Sequence, residues 1–305
     1  MESLSIWSGN NKLAWLNSKT LNRRRVLLKY ETERPVYQKN PDTFYIIGVD
    51  VARYKANTAI TVLKIIPGKN YFIKNAIYLE VLHGENYIEV QAPRIKKLIQ
   101  LFQPREVVID GNGPGIGLLD AMAIPSVDAK TGEHFPAYYV FNNEYHLPPE
   151  KSSPSEKPWP SLNGIIYDIK AGSGNEDEIN SYFVSQINNG SLRLLADEKI
   201  VRDKLLKTRK GQKMSVYDRR EFLLPYEMTS RLIDELNNLK LKTTGNKNEF
   251  KVERISKSIE KDRFSSISYG LYRVKYYEEK SQRKKTYNDY SQFAFFTSKK
   301  SKKGV

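Results

Sequence analysis

Two aspartates end short runs of apolar residues, and they are the side chains in this sequence best suited to chemistry. Asp50 ends the run at 44–49, and Asp110 ends the run at 106–109, just before the glycine-rich stretch 111–115. A carboxylate is rarely buried unless it is paired or bound to a metal ion. Two carboxylates side by side repel each other, and a divalent cation relieves that repulsion. The sequence therefore predicts a cation site where two neighbouring strands end.

A third acid, Asp262, lies in the segment Glu260-Lys-Asp-Arg-Phe-Ser-Ser266 at the start of a predicted helix. A plain N-terminal cap is the ordinary role for such a residue, and a tight turn is the ordinary role for Asp110 before glycine. If the helix packs beside the first strand, the three aspartates offer oxygen ligands suited to Mg²⁺ or Mn²⁺. Two such ions about 3.5–4 Å apart can activate water and hold a phosphate for phosphodiester hydrolysis.

The elements around these acids follow a recognisable order. Strands are predicted at 45–50, 58–65 and 71–81, and Pro67-Gly68 turns the chain between the second and the third. A helix follows and ends before Pro104; it either begins near Ala92 or is kinked at Pro93. The next strand, 107–110, comes after a crossover, which favours parallel pairing with the first strand. That pairing would place Asp50 and Asp110 at the same edge of the sheet.

The remaining chain adds strands and helices in no repeating order. Predicted strands are 137–141, 165–169, 192–195 and 250–252, and predicted helices are 118–123, 176–188, 225–241 and 262–276. The fold class is therefore α/β, with a mixed central β-sheet flanked by helices. We expect residues 1–43 to be a linker or the remnant of an upstream region, 44–280 to form the domain, and 281–305 to be a basic, disordered tail.

Composition narrows the classes of function. The 305 residues carry a formal net charge of +15 and include no cysteine. Disulfides and cysteine-ligated zinc are excluded, and the basic charge predicts a polyanionic partner such as nucleic acid. The sequence has no long apolar run, no secretory signal and no G-x-x-x-x-G-K-[ST] loop. We therefore expect neither a membrane span nor an ATP site in this chain.

Several basic residues are candidates for contacts with nucleic-acid phosphates. A cluster that begins near Arg202 is equally consistent with a solvated helix face, and two further residues flank the third acid. The candidates are Lys204, Lys207, Arg209, Lys210, Lys213, Arg219, Arg220, Lys261 and Arg263.

Other polar residues give weaker signals. Glu80, Glu85 and Glu89 are candidates for a fourth acid, although a solvated position is the simpler interpretation for each. The three histidines show no ligand spacing, so we expect them on the surface or in turns.

Three motifs resemble those of a known family. They are Gly48-Val-Asp-Val-Ala52, Val108-Ile-Asp-Gly-Asn-Gly-Pro-Gly115 and Lys261-Asp-Arg-Phe-Ser-Ser-Ile-Ser-Tyr-Gly270. In combination they resemble the acidic motifs of the nuclease domain of the tailed-bacteriophage large terminase subunit, within the RNase H-like nuclease superfamily. The resemblance covers about residues 44–277. It implies an RNase H-like fold, in which Asp50, Asp110 and Asp262 hold two Mg²⁺ or Mn²⁺ ions.

The resemblance also implies a biological setting. The expected activity is an endonuclease that cuts double-stranded, concatemeric viral DNA during genome packaging. The expected partners are the terminase ATPase motor region, the small terminase subunit and the portal, in the host cytoplasm and away from membranes. Family members carry the motor before the nuclease, and this sequence does not contain it, so we expect an excised domain or a separately encoded part.

Three alternatives remain open from the sequence. A Holliday-junction resolvase or a transposase-like nuclease would use the same acids on another DNA substrate. An actin-like ATPase or sugar kinase shares a related core, but it needs two such domains. A basic packaging module that binds DNA without cutting it would explain the charge alone.

Overall fold

The computed structural model describes residues 16–51, 57–84, 86–128, 131–148, 150–151, 153–172, 174–244 and 249–294. Twelve strands lie in these residues, and eight of them form one mixed sheet in the order β1-β10-β4-β3-β2-β5-β9-β8. The strands are β1 (Arg25–Leu27), β2 (Phe44–Asp50), β3 (Asn57–Ile66), β4 (Ile73–His83), β5 (Glu106–Ile109), β6 (Ser126–Val127), β7 (His134–Phe135), β8 (Tyr139–Val140), β9 (Gly164–Asp168), β10 (Leu192–Leu195), β11 (Leu239–Thr244) and β12 (Glu249–Arg254).

The centre of the sheet has the RNase H-like arrangement that the sequence predicts. Strands β2, β3 and β4 pair antiparallel as a meander. On the other side of β2, β5 pairs parallel with it, and β9 pairs parallel with β5. The β2 strand is therefore central. Six of its seven residues are buried, as expected for an almost continuous apolar run covered on both faces.

Helices cover both faces of the sheet. On one face, α2 and α3 pack on the apolar side chains of β2 and β5. On the other face, α4, α7 and α8 pack on a second apolar cluster. None of the described helices is both long enough and apolar enough to cross a membrane. The helices are α1 (Ser18–Arg23), α2 (Ala92–Phe102), α3 (Pro114–Met122), α4 (Glu176–Asn189), α5 (Glu198–Leu206), α6 (Arg209–Lys213), α7 (Val216–Asn237) and α8 (Asp262–Ala294).

The crossover helix α2 settles one alternative from the sequence. It begins at Ala92, with Pro93 in its first turn, where a missing backbone N–H costs no helical hydrogen bond. A π-helical turn, Tyr87–Gln91, leads into it. Gln91 is fully buried and binds the Thr58 hydroxyl of β3, so this turn is fixed to the sheet.

The expectation of an irregular linker up to residue 43 is wrong for the described residues 16–43. Helix α1 packs there through Leu21, which is fully buried, and β1 extends the sheet beside β10. Arg25 fixes this strand through hydrogen bonds to the carbonyls of Leu195 and Ala196 and an ion pair with Asp197. A short edge strand held by one arginine leaves no periodic apolar pattern in the sequence.

Two helices are longer than predicted. Helix α7 begins at Val216, capped by the Ser215 hydroxyl, and contains Pro225 inside it rather than at its start. Helix α8 continues to Ala294, beyond the predicted boundary at residue 280, so the start of the expected disordered tail is helical. Polar and charged residues dominate the far part of α8, and such a composition does not distinguish a helix from a tail.

Candidate metal centre

The parallel pairing of β2 and β5 brings two of the predicted acids to one edge of the sheet. Val49 pairs with Ile109, Asp50 is the last residue of β2, and Asp110 directly follows β5. Both strands point the same way, so both aspartates emerge where the strands end. The arrangement of these two residues is therefore the one that the crossover in the sequence predicts.

Helix α8 brings the third acid to the same place. Asp262 is its first residue, and the helix backbone lies directly on β2 at Gly48. A Cβ atom on Gly48 would lie 2.0 Å from the carbonyl oxygen of Ser266, so only glycine permits this approach. The Ser266 hydroxyl also bonds to the Thr61 hydroxyl of β3 at 2.7 Å. These contacts fix the first turns of α8 on the sheet.

The three carboxylates are close enough for their charges to interact. Burial, together with repulsion from Asp262 and Asp110, raises the pKa of Asp50 well above its usual range. The Lys261 ammonium and a hydrogen bond from Ser265 act in the opposite direction and favour the charged form of Asp50. A desolvated carboxylate next to two others is the electrostatic situation that a bound cation relieves.

Asp110 is held by hydrogen bonds from three directions. Its Oδ1 atom accepts from the backbone N–H groups of Asn112 at 3.1 Å and Ala171 at 3.2 Å. Its Oδ2 atom accepts from the Tyr269 hydroxyl at 3.4 Å. Burial nevertheless raises the pKa of Asp110, and these bonds offset only part of that effect. The carboxylate is fixed in place, and its desolvation is only partly compensated.

Asp262 has a neighbour that the sequence reasoning missed. Burial and the nearby charge of Glu260 raise the pKa of Asp262 to about 6. Glu260 is oriented by Asn57, whose amide donates to it at 2.9 Å. Among the described residues, the buried Oδ2 atom of Asp262 has no hydrogen-bond partner. An acid two positions before a helical aspartate is common on protein surfaces, so the sequence alone does not identify Glu260 as a neighbour that affects the pKa of Asp262.

The donor set is chemically suited to a hard divalent cation, although the carboxylates are not gathered as ligands. In the described part of the chain, no group of three His, Cys, Asp or Glu side chains is arranged so that it could hold a metal ion. The residues present are instead carboxylates from three separate elements, with an orphaned buried oxygen on Asp262 and charge repulsion at Asp50. Oxygen ligands with open positions suit Mg²⁺ or Mn²⁺ rather than softer metals.

The glycine-rich loop after β5 packs closely around the site. A Cβ on Gly111 would lie 2.3 Å from the Asp168 carboxylate, and one on Gly115 would lie 1.8 Å from the Asp110 carbonyl oxygen. Asp168 ends β9 and accepts hydrogen bonds from the Gly111 backbone and the Asn143 amide. The sequence reasoning missed Asp168, although an apolar run ended by aspartate is the same signal that found the first two acids.

The predicted nucleic-acid contacts divide into three groups. Lys261 lies in the N-terminal region of α8 beside Asp50. Arg263 is instead buried and paired with Glu235 at 2.6 Å, so the prediction that it contacts DNA does not fit the structure. The other seven lie in α5, in α6, at the turns between them and at the start of α7. Arg220 is roughly 22 Å from the buried end of α7 near Glu235, at 1.5 Å per residue.

The two described candidates for a fourth acid, Glu80 and Glu89, have other partners. Glu80 binds Arg94 at 2.8 Å, and Glu89 accepts a hydrogen bond from the Asn86 amide. Glu85 lies outside the described residues. Of the histidines, His83 hydrogen-bonds Asn57 and His146 lies 3.6 Å from Asp120.

Comparison with known proteins gives structural similarities only, because no family model and no curated protein matches this chain. The large terminase nuclease of thermophilic phage G20c with bound magnesium is 16% identical, with 83% of this chain and 94% of that chain covered and a TM-score of 0.45. The nuclease domain of the Thermus phage P74-26 large terminase is 17% identical, with coverages of 83% and 92% and a TM-score of 0.45. A manganese-soaked human cytomegalovirus terminase nuclease domain is 13% identical, with coverages of 83% and 92% and a TM-score of 0.44.

Proposed function

We propose that this chain is a metal-dependent endonuclease that hydrolyses phosphodiester bonds of double-stranded DNA. The observation that carries the proposal is the convergence of three aspartates from β2, the β5 end and α8, with the charges of Asp110 and Asp262 acting on a half-buried Asp50. A fold gains nothing from collecting desolvated carboxylates in this way, since each one favours the unfolded state. The cost is explained if cations bind there and do chemistry.

The proposed site would hold two divalent cations between Asp50, Asp110 and Asp262. Such ions supply activation of the attacking water and neutralisation of charge on the phosphate and the leaving oxygen. The protein fixes the positions of the carboxylates that would hold the ions. Backbone N–H groups of Asn112 and Ala171 hold the Asp110 carboxylate, and the contact of α8 with Gly48 sets the place of Asp262. Lys261 adds a positive charge beside the site, suited to an incoming phosphate.

The three acidic motifs favour the terminase role within this class. We propose that the substrate is concatemeric viral DNA, cut during genome packaging inside the host cell. The ATPase motor region, the small terminase subunit and the portal are the proposed partners. The exposed basic residues of α5, α6 and the start of α7 would contact the DNA backbone away from the cutting site, without reading sequence.

Plasmid cleavage tests the proposal directly. Supercoiled plasmid is incubated with Mn²⁺, Mg²⁺ or EDTA and with wild type, Asp50→Ala or Asp42→Asn. Asp42 is exposed and precedes the opposite end of β2, so its variant is a control for the loss of one acidic charge. We expect metal-dependent nicking and linearisation by wild type and Asp42→Asn. We expect none by Asp50→Ala, because a single lost ligand disrupts both ions.

A stability measurement separates an inactive site from a wrong assignment. A ligand that binds only the folded state stabilises that state by RT ln(1 + [L]/Kd) and therefore raises Tm. Mn²⁺ should therefore raise the Tm of wild type and Asp42→Asn but not that of Asp50→Ala. Full cleavage by Asp50→Ala, or an equal metal-induced shift in all three proteins, would remove the metal centre from the proposal. If the protein binds DNA but neither cleaves it nor shows a metal-induced rise in Tm, the non-catalytic module would be favoured. A preference for cutting branched DNA would favour a resolvase.

A further inference from the structure

A small cavity adjoins the metal centre on the side of α8 that faces α4. Its volume is about 170 Å³, and its walls include Glu176 and Asn180 from α4, Lys261 just before α8, and Ser265 and Tyr269 from α8. Two of these residues also touch the catalytic acids: Tyr269 donates to Asp110, and Ser265 bonds to Asp50. The cavity therefore shares a wall with the metal centre.

Asn180 is the polar group in this cavity that needs a partner. Its side chain is only 4% exposed. Among the described residues, its Nδ2 atom is buried and has no hydrogen-bond partner. A buried N–H donor without an acceptor destabilises a folded protein, so such groups are normally satisfied by protein, water or ligand. Asn180 is one of the residues that line the cavity, so its amide is a candidate donor to a group bound there.

The electrostatics favour an anionic acceptor. Lys261 lines the cavity, and it forms no salt bridge with any described residue. The cavity also lies beside the beginnings of α4 and α8, where helix dipoles are positive. Glu176 is the opposing charge on the wall, and Asp177 and Glu178 follow it in the first turn of α4, so these acids should weaken anion binding. A water molecule occupies only about 30 Å³ of liquid, so the cavity has room for a larger group.

We propose that this cavity binds a DNA phosphate next to the one being cut, with Asn180 and Lys261 as its donors. The inference rests on the proposed nuclease function, because it takes its ligand from the DNA that the metal centre would cleave. The phosphate held there would be the neighbour of the scissile phosphate in the same DNA strand. Holding it would therefore fix the position of the scissile phosphate at the metal centre. The cavity would then help to orient the substrate, while the aspartates carry the chemistry.

Four substitutions test the subsite through DNA binding. A short fluorescent DNA duplex is titrated in Ca²⁺, and the dissociation constant is measured by anisotropy at several salt concentrations. Asn180→Leu should weaken binding about tenfold through loss of a charge-assisted hydrogen bond. Lys261→Gln should weaken it and lower the salt slope by about one. Glu176→Gln should tighten it. Lys39→Gln is the matched control, because Lys39 is exposed and lies before the start of β2.

Thermal unfolding distinguishes a ligand site from a structural role. Asn180→Leu removes a buried unsatisfied amide, so its Tm should equal or exceed that of wild type while its DNA affinity falls. A lower Tm together with lower affinity would overturn the subsite and make Asn180 structural. Equal affinities of Asn180→Leu, Lys261→Gln and Lys39→Gln would show that the cavity holds water only.

The outcomes also separate the subsite from the nuclease itself. Metal-dependent plasmid cleavage with unchanged binding in the cavity variants would overturn the subsite and leave the nuclease intact. The predicted pattern of binding, without cleavage in any metal, would overturn the nuclease and support a phosphate site in a DNA-binding module. A wild-type protein that neither binds nor cuts DNA would overturn both.

Discussion

At the scale of single residues, buried charge marks both function and structure in this chain, and the partners of each charge decide which. Arg263 is buried and pairs with Glu235, and the Phe264 backbone also donates to that carboxylate. The pairing offsets only part of the cost, because Arg263 Nε has no hydrogen-bond partner among the described residues and burial still raises the pKa of Glu235 to about 7. Asp50 is desolvated and adjoins two like charges instead of an opposite one.

Lys96 provides a residue-scale prediction about pH. Its ammonium is buried against the carbonyl oxygens of Ala121 and Ile124 at the end of α3, and burial lowers the pKa of Lys96 to about 8. The unfolded chain keeps a lysine pKa of about 10.4, so between these values the unfolded state binds more protons. Stability from this group must therefore rise with pH across that window.

The test compares wild type with Lys96→Met in urea unfolding at several pH values. The difference in free energy of unfolding should be constant below about pH 7 and should shift in favour of wild type from pH 8 to about 10.4. Other titrating groups are common to both proteins and cancel in the difference. A difference that stays flat through pH 10 would show that the buried amine keeps an ordinary pKa.

Candidate site residues could be recognised from the sequence only where burying that residue type has a high free-energy cost. Asp50 and Asp110 were found because a carboxylate interrupts an apolar strand. Glu260 was missed because an exposed-looking acid in a polar segment carries no such signal. Arg263 was misassigned because its neighbour Asp262 is a predicted metal ligand, and the sequence does not show which side of α8 faces Glu235.

At the scale of elements, two glycines set the contact of α8 with the sheet, and they differ in tolerance. A Cβ on Gly48 would meet the backbone oxygen of Ser266 at 2.0 Å. One on Gly270 would be tight only against the Leu63 side chain, at 2.9 Å, with the Gly48 backbone at an ordinary contact distance of 3.6 Å. Backbone atoms cannot rotate away, but a leucine can change rotamer. Gly48→Ala should therefore lower the free energy of unfolding by at least about 3 kcal/mol, at the upper end of overpacking costs.

Gly270→Ala is the matched control for that experiment. It adds the same methyl group to the same interface, and a mid-helix alanine is intrinsically favoured over glycine by roughly 1 kcal/mol. Urea unfolding should therefore place it close to wild type. Equal losses in both variants would contradict the view that the backbone contact at Gly48 positions the helix.

The other anchor of α8 is an ion pair at the opposite end of β5. Arg273 forms two hydrogen bonds with Glu106, at 2.6 and 2.8 Å, and Glu106 is fully buried. Removing one partner leaves an unpaired buried charge, which typically costs about 3–5 kcal/mol. Arg273→Met should lose roughly that much stability in chemical denaturation, and the double variant Arg273→Met/Glu106→Gln should recover most of it. No recovery would mean that packing of the arginine matters more than its charge.

The elements themselves were predictable where the pattern is repetitive. The β2–β3–β4 meander, the α2 crossover and parallel β5 follow from alternating and continuous apolar runs, and the structure confirms them. The extra turns of α7 before Pro225 and of α8 beyond residue 280 were not predicted. Their helical state depends on neighbours and caps rather than on an apolar stripe.

At the scale of the whole molecule, the basic charge and the metal centre are separate features. The exposed cations of α5, α6 and the start of α7 lie beyond the β10 side of the sheet, and the aspartates lie at the ends of β2 and β5. Long duplex DNA could reach both regions, whereas a short one could not.

A triple substitution tests this separation. Lys207→Gln/Arg209→Gln/Lys210→Gln should weaken binding of long duplex DNA and lower the salt slope by about 0.9 for each phosphate that the variant no longer neutralises. Cleavage at saturating DNA should be unchanged, since these residues are remote from the acids. Measurement of affinity and maximal cleavage rate in the same preparation checks both parts. Lys19→Gln/Lys29→Gln/Lys39→Gln removes three exposed charges elsewhere and serves as the charge control, and equal effects of the two variants would assign the change to net charge alone.

Because the ribosome synthesises the chain from its N-terminus, Asp262 is added long after Asp50 and Asp110. Asp50 and Asp110 lie in neighbouring strands of the first half of the sequence, whereas Asp262 begins the last described helix. During synthesis the first two acids can meet long before the third exists, because long-range contacts form only after the later segment is available. The proposed nuclease would therefore be unable to cut DNA until α8 has packed over Gly48 and brought Asp262 beside the other two acids.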